Sequence, residues 1–234
     1  MTKKPRSNPL NEAREARRIL CENDILEFIF LVHPNRLLGS IQREILGWWS
    51  STNMTKYHMT LLPRDHMKSA MIAYLAAWRL TRDPSLRILY ISANSNLAVK
   101  QLKFIKDIIT SPTYRLYWPE MVNKEEAKRE KWTEREISVD HPKRAEEHIR
   151  DPSIFTAGLT SNIVGMHCDI AILDDVVVTN NAYTEEGRDK VLDQYYYYEL
   201  LDKKHDSILI RKYQDLCIIL KVILYKVIVR YNYG

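Results

Sequence analysis

Two short stretches hold residue types that could handle a phosphate. The first, "TLLPRDHMKSAM" (60–71), sets Lys68 and Ser69 between an apolar approach and an apolar run of helical character. At a strand-to-helix turn such a pair can work together. Backbone N–H groups converge on phosphate oxygens, the ammonium meets the outer phosphates, and the hydroxyl reaches Mg²⁺. The glycine-rich form of such a loop is G-x-x-x-x-G-K-[ST]. Alignment on Lys68-Ser69 puts Leu62 and Met67 where its glycines stand. Glycine serves there because it takes positive φ without a Cβ clash; Asp visits such conformations more readily than Met does. Taken alone, the segment also reads as an ordinary strand, turn and helix with an exposed lysine.

The second stretch, "CDIAILDDVVV" (168–178), closes an apolar run, Ile170 to Leu173, with the paired carboxylates Asp174 and Asp175. In nucleotide hydrolysis such a strand end places one carboxylate in the Mg²⁺ shell and the next near the attacking water. Its bland alternative is a strand that ends in an Asp-rich turn.

These residues need elements to carry them. Apolar spacing predicts one amphipathic helix over 11–32, ended by His33-Pro34, and a second over 38–50. A strand over 56–63, a helix over 68–81 and a doubly covered strand over 86–93 follow. Residues 94–110 read as a helix with Asn94 or Ser95 as N-cap. Residues 111–151 are rich in charge and carry several prolines, and read as a surface insertion with one short strand at "REISV". Strands over 153–159 and 168–178 precede a helix over 184–201 that contains Tyr195 to Tyr198. No repeat of 20–50 residues is present. Strands alternating with helices predict an α/β fold, a mostly parallel sheet with helices on both faces.

The 234 residues carry a net charge of +5 and a pI near 9.0, a modest basic excess that suits a polyanionic partner without specifying one. Cys21, Cys168 and Cys217 are too far apart for a zinc pattern or a disulfide framework and suit a reducing compartment. The basic start has no apolar core of a secretion signal. The apolar stretch 216–231 is interrupted by Lys221, Lys226 and Arg230 and is too short and charged to read as a membrane span.

Taken together over about residues 25–200, "LLPRDHMKSAM", "RILYISANSNLAVKQLKFI" and "FTAGLTSNIVGMHCDIAILDDVVV" resemble the ATPase domain of tailed-phage terminase large subunits, including the DNA maturase B group. That family's loop has the form Pro-Arg-Gly-His-Gly-Lys-Ser. Pro63, Arg64, His66, Lys68 and Ser69 match it, whereas Asp65 and Met67 replace its glycines. The resemblance implies a three-layer P-loop NTPase (ASCE/RecA-like) core with a helical N-terminal extension, and ATP and Mg²⁺ as ligands. It implies nucleotide contacts from the loop Pro63, Arg64, Asp65, His66, Met67, Lys68 and Ser69. Ser69 and Asp174 would hold Mg²⁺, Asp175 would be the catalytic carboxylate, where many relatives have Glu, and Arg64 an arginine finger. Gln42 resembles an adenine-reading glutamine. On the residues alone, Arg64 also reads as a surface-paired arginine and Gln42 as part of an exposed helix face. "SANSNLAVKQ" reads as a capped helix, the four tyrosines as a packed face or subunit contact, and His167-Cys168 as no metal site.

By the same resemblance, residues 1–50 form the helical extension, 51–202 the ATPase core, and 203–234 an atypical tail. The expected activity is a motor that packages DNA into proheads, in the host cytoplasm during virus assembly or in the bacterial cytoplasm if prophage-encoded. Its partners would be double-stranded DNA held by its phosphates, a portal protein, a small terminase subunit and further copies in a ring. After Asp202 the only acids are Asp206 and Asp215, so the clustered carboxylates of a two-metal nuclease are not expected, and the tail reads as frameshifted or truncated. Two alternatives stay open: a non-catalytic nucleotide- or DNA-binding remnant, and a helicase-type DNA-dependent ATPase.

Overall fold

The computed structural model describes residues 9–51, 60, 62–63, 65–161, 163, 166–177, 181 and 183–201, with side chains as far as residue 193. Within these bounds the elements run α1 (Pro9–Asn23), α2 (Ile25–Val32), α3 (Ser40–Ser50), α4 (Lys68–Arg82), β1 (Ile88–Ser92), α5 (Ser95–Thr110), α6 (Pro112–Tyr117), β2 (Glu136–Ile137), α7 (Pro142–Glu146), β3 (Ile154–Gly158), β4 (Ile170–Asp174) and α8 (Glu185–Leu201). Most of the expected strand over 56–63, together with Arg64 and residues 203–234, lies outside the described residues.

The four described strands form one mixed sheet in the order β2-β3-β1-β4. β1 is central and pairs in parallel with both β3 and β4, while the short β2 runs antiparallel to β3. All five residues of β1 are buried, as its unbroken apolar run requires. Side chains alternate between faces. One face carries Ile88, Tyr90, Ile154, Ile170 and Ile172 into the larger core, shared with α1 to α5. The other carries Leu89, Ile91 and Ala157 into a smaller core closed by Val191 of α8. The α/β architecture is therefore present, with helices on both faces of a mostly parallel sheet.

α4 is the spine of the larger core. Its alanines Ala73, Ala76 and Ala77 let neighbouring elements approach, and Tyr74, Trp78 and Leu80 fill the space between them. Burying one such large side chain contributes about 1.5–3 kcal/mol. The indole N–H of Trp78 donates to Cys21 O at 2.9 Å, so α1 is pinned to α4 without an orphaned donor. Pro84 stops α4, because the residue before a proline is pushed out of helix; Asp83 sits at φ −135°.

Two expectations change. The single helix over 11–32 is two, broken at Asp24, which takes an extended conformation (φ −131°) and accepts a capping hydrogen bond from Leu26 N at 2.7 Å. An Asp cap wins here because the bend lets Phe28 and Ile29 turn into the core. Residues 111–151 are also not a surface insertion. Tyr114, Trp118, Met121, Val122, Ile137 and Val139 are all buried in the core. The charge that suggested exposure is partly internal: the buried Arg144 donates to Pro84 O at 2.9 Å, to Leu86 O at 3.2 Å and to Asp151 O. A guanidinium spread over three carbonyls ties this segment to the start of β1.

Candidate functional site

The loop before α4 adopts the backbone that glycine usually supplies. Asp65 has φ 66° and Met67 φ 57°, ψ 22°, both left-handed, and these are the two positions at which the chain departs from Pro-Arg-Gly-His-Gly-Lys-Ser. A non-glycine residue in this region costs roughly 1–2 kcal/mol. Met67 offsets part of that by packing its side chain against the larger core. Met67 is the N-cap of α4 and its side chain makes no cap, and the positive end of a 15-residue helix's dipole favours an anion there.

β4 brings the acids to the same place. Asp175 has φ 48° and ends the strand at Asp174, which is why the strand stops short of the expected 178. Lys68 Nζ donates to Asp175 Oδ1 at 2.5 Å. The pair is open to solvent, with Lys68 26% and Asp175 61% exposed, so it holds the fold together by no more than about 1 kcal/mol. A multiply charged phosphate can therefore compete for the lysine.

Asp174 differs sharply from its neighbour. It is buried, its Oδ2 accepts from the Tyr90 hydroxyl at 2.8 Å, and its Oδ1 has no partner among the described residues. Burial, followed by the charge of Asp174, holds the Tyr90 phenol well above its ordinary range, so it stays a donor. A buried carboxylate oxygen without a partner is costly, about 1–3 kcal/mol, and a cation there would offset that cost. In the sequence Tyr90 is only one member of the apolar run 86–93. The signal that singles it out, a phenol one step behind an acid on the adjacent strand, exists only once the register is known.

The carboxyl ends of the strands bound this region. Ser92 lies opposite both Asp174 and Gly158. A Cβ on Gly158 would stand 2.8 Å from Ser95 N, so glycine is what lets the start of α5 close on β3. Asn94 caps α5 by accepting from Leu97 N at 3.1 Å. In open α/β sheets, ligands bind outside the carboxyl ends of the strands.

The remaining expected residues are placed as follows. Ser69 opens α4 directly after Lys68, and His66 and Ser69 are half-buried while Pro63 and Asp65 are exposed. Gln42 is half-buried on α3, with its amide oxygen turned back to Gly39, where a Cβ would lie 2.7 Å away. Trp49 Nε1, farther along α3, donates to Thr60 Oγ1 at 2.9 Å, so α3 meets the approach to the loop through Trp49. His167 and Cys168 sit before β4, at the opposite end of the sheet from the acids.

No helix among the described residues is long and apolar enough to cross a membrane. The chain matches no model of a known protein family. It is similar to a protein described as the terminase large subunit of Enterobacteria phage T3, with 32% identity over 124 residues. The match covers 53% of this chain and 20% of that relative's length. An α/β chain with a lysine and two acids at the carboxyl end of its sheet thus has a terminase-like sequence over about half its length.

Proposed function

We propose that this chain is the ATPase motor portion of a phage terminase large subunit, with a P-loop NTPase core that drives DNA packaging into proheads. The observation that carries this reading is the contact of Lys68 with Asp175, next to the buried Asp174, beside a left-handed turn at the start of α4. The similarity to a terminase large subunit supports it. ATP would occupy the loop formed by residues 63–69, with Lys68 and the first N–H groups of α4 on its outer phosphates. Ser69 and Asp174 fit Mg²⁺, the latter through its unpartnered Oδ1. When bound there, Mg²⁺ neutralises charge on the phosphate oxygens.

Once Lys68 has turned to phosphate, Asp175 is released to orient a water and take its proton. The water oxygen bonds to the γ-phosphorus as the bond to the β-phosphate oxygen breaks, giving ADP and phosphate. Arg64, as a finger, would stabilise charge on the transferring group, and Gln42 would read the adenine. Double-stranded DNA would be held through its phosphates without sequence reading. The portal protein, a small terminase subunit and further copies in a ring complete the assembly, in the host cytoplasm.

A second reading is a nucleotide-binding module that does not turn over. Asp and Met at both left-handed loop positions favour it, because strain there can hold the loop away from the reactive geometry. Single-turnover hydrolysis of ATP by the purified chain separates the two. Under the motor reading Asp174→Asn loses its Mg²⁺ dependence of binding, whereas Asp175→Asn binds ATP and leaves it intact. Parental turnover in both variants would sink the assignment, and binding without turnover in the parent would select the second reading.

A further inference from the structure

A side chain outside the loop and the acid pair is hydrogen-bonded to Asp174. Tyr90 lies in the middle of β1, opposite Ile172, and Ser92 lies opposite Asp174. Partners in a parallel pair share a face, so Tyr90 and Asp174 emerge on the same side, with the acid one step nearer the carboxyl ends. Strand side chains lean along the strand, and a phenol spans that step. The result is the 2.8 Å hydrogen bond from Tyr90 to Asp174 Oδ2, between a residue 0% exposed and one 4% exposed. Both groups are fixed by a buried sheet, so the carboxylate has little freedom to rotate.

This geometry limits what Asp174 can offer. An unrestrained carboxylate presents two oxygens to a cation. With Oδ2 engaged by the phenol, Asp174 presents Oδ1, the oxygen without a partner. Cations differ in how they respond. Mg²⁺ needs near-octahedral geometry at about 2.0–2.1 Å and keeps several waters, which suits one oxygen per carboxylate. Ca²⁺ sits in a looser shell at roughly 2.3–2.6 Å and readily takes both oxygens of one carboxylate.

We propose that Tyr90 is a positioning residue that sets metal preference: by holding Asp174 Oδ2 it confines that carboxylate to single-oxygen binding and biases the site toward Mg²⁺ or Mn²⁺ over Ca²⁺. The inference rests on the reading of Asp174 as a metal-holding acid. A phenol that merely satisfied a buried carboxylate would, when removed, weaken all cations alike. A phenol that restricts the carboxylate changes their ratio.

The test is direct Mn²⁺ binding to the full chain, followed by electron paramagnetic resonance, with Ca²⁺ as competitor. The parent should prefer Mn²⁺ over Ca²⁺ by tenfold or more. Tyr90→Phe, checked for folding by circular dichroism, should lose at least threefold of that preference. Asp174→Glu is the second variant, since its longer side chain carries the carboxylate past the phenol, and the same loss is expected. Parental preference in either folded variant overturns the inference, as does an equal weakening of both cations or a parent without preference. Asp174→Asn distinguishes the two levels. If it binds Mn²⁺ as the parent does, the site reading itself fails. If it abolishes binding while Tyr90→Phe keeps the parental ratio, the site stands and Tyr90 has no part in selection.

Discussion

Lys68 Nζ and Asp175 Oδ1 lie 2.5 Å apart although 107 residues separate them in the chain. The ammonium that would meet a phosphate is held by the carboxylate that would orient a water, so without ligand each neutralises the other. Because the pair is exposed, its net contribution to folding is about 1 kcal/mol or less. Lys68→Ala should therefore leave the denaturation midpoint nearly unchanged while weakening ATP binding at least tenfold, about 1.4 kcal/mol. Asp175→Asn should free the lysine and tighten ATP binding when Mg²⁺ is withheld. Titration of a fluorescent ATP analogue measures both; equal affinity in Lys68→Ala and the parent would refute the loop assignment.

The two left-handed loop residues should respond differently to glycine. Asp65 is exposed, so Asp65→Gly relieves strain and loses little packing, and it should exceed Asp65→Ala in stability by about 1 kcal/mol. Met67→Gly gains a similar relief but gives up contact with the core, leaving stability close to the parent's. Urea midpoints check the order. The opposite order at Asp65 would mean that its backbone conformation is not what limits the residue there.

Gly158 should tolerate no side chain. In Gly158→Ala the new Cβ would meet Ser95 N at 2.8 Å and Asn94 C at 3.2 Å, both backbone atoms that cannot rotate away. Displacing the start of α5 from β3 should cost about 1–3 kcal/mol. Thermal melts of parent and variant measure it, and an unchanged midpoint would show that α5 does not close on the strand.

His33 should make the chain less stable in mild acid. Arg36 Nε donates to the Tyr74 hydroxyl at 3.2 Å, and that hydroxyl lies 2.6 Å from His33 Nδ1. Burial, then the charge of Arg36, lowers the His33 pKa, while Asp107 opposes the shift. With the folded pKa below the ordinary value of 6.5, the unfolded chain binds more protons as pH falls. The contribution of His33 is thus full above about pH 6.5 and is lost as pH drops through the folded pKa. His33→Asn keeps an acceptor without titrating. The fall in melting temperature between about pH 7.5 and 5 should be smaller in that variant, and an identical fall would remove His33 from the account.

What the sequence determined by itself was local. Apolar spacing set α4, α5, β1, β3 and β4, and Asn94, one of the two N-cap candidates, marked the start of α5. Lys68-Ser69 at a helix start and Asp174-Asp175 at a strand end were visible because each depends on a few adjacent residues. The tertiary structure decided everything that depends on register. Tyr90 holds Asp174 because β1 and β4 are neighbours aligned residue by residue, and Lys68 meets Asp175 because the start of α4 lies beside the end of β4, choices no short window records. Burial of 111–151 was hidden for a related reason. Tyr114, Trp118, Met121 and Val122 lie outside the one short strand read there, and the charge of Arg144 is satisfied by carbonyls from outside that segment as well as from within it. The break at Asp24 likewise follows from packing, since a helix continued through it would carry Phe28 and Ile29 away from the core they fill.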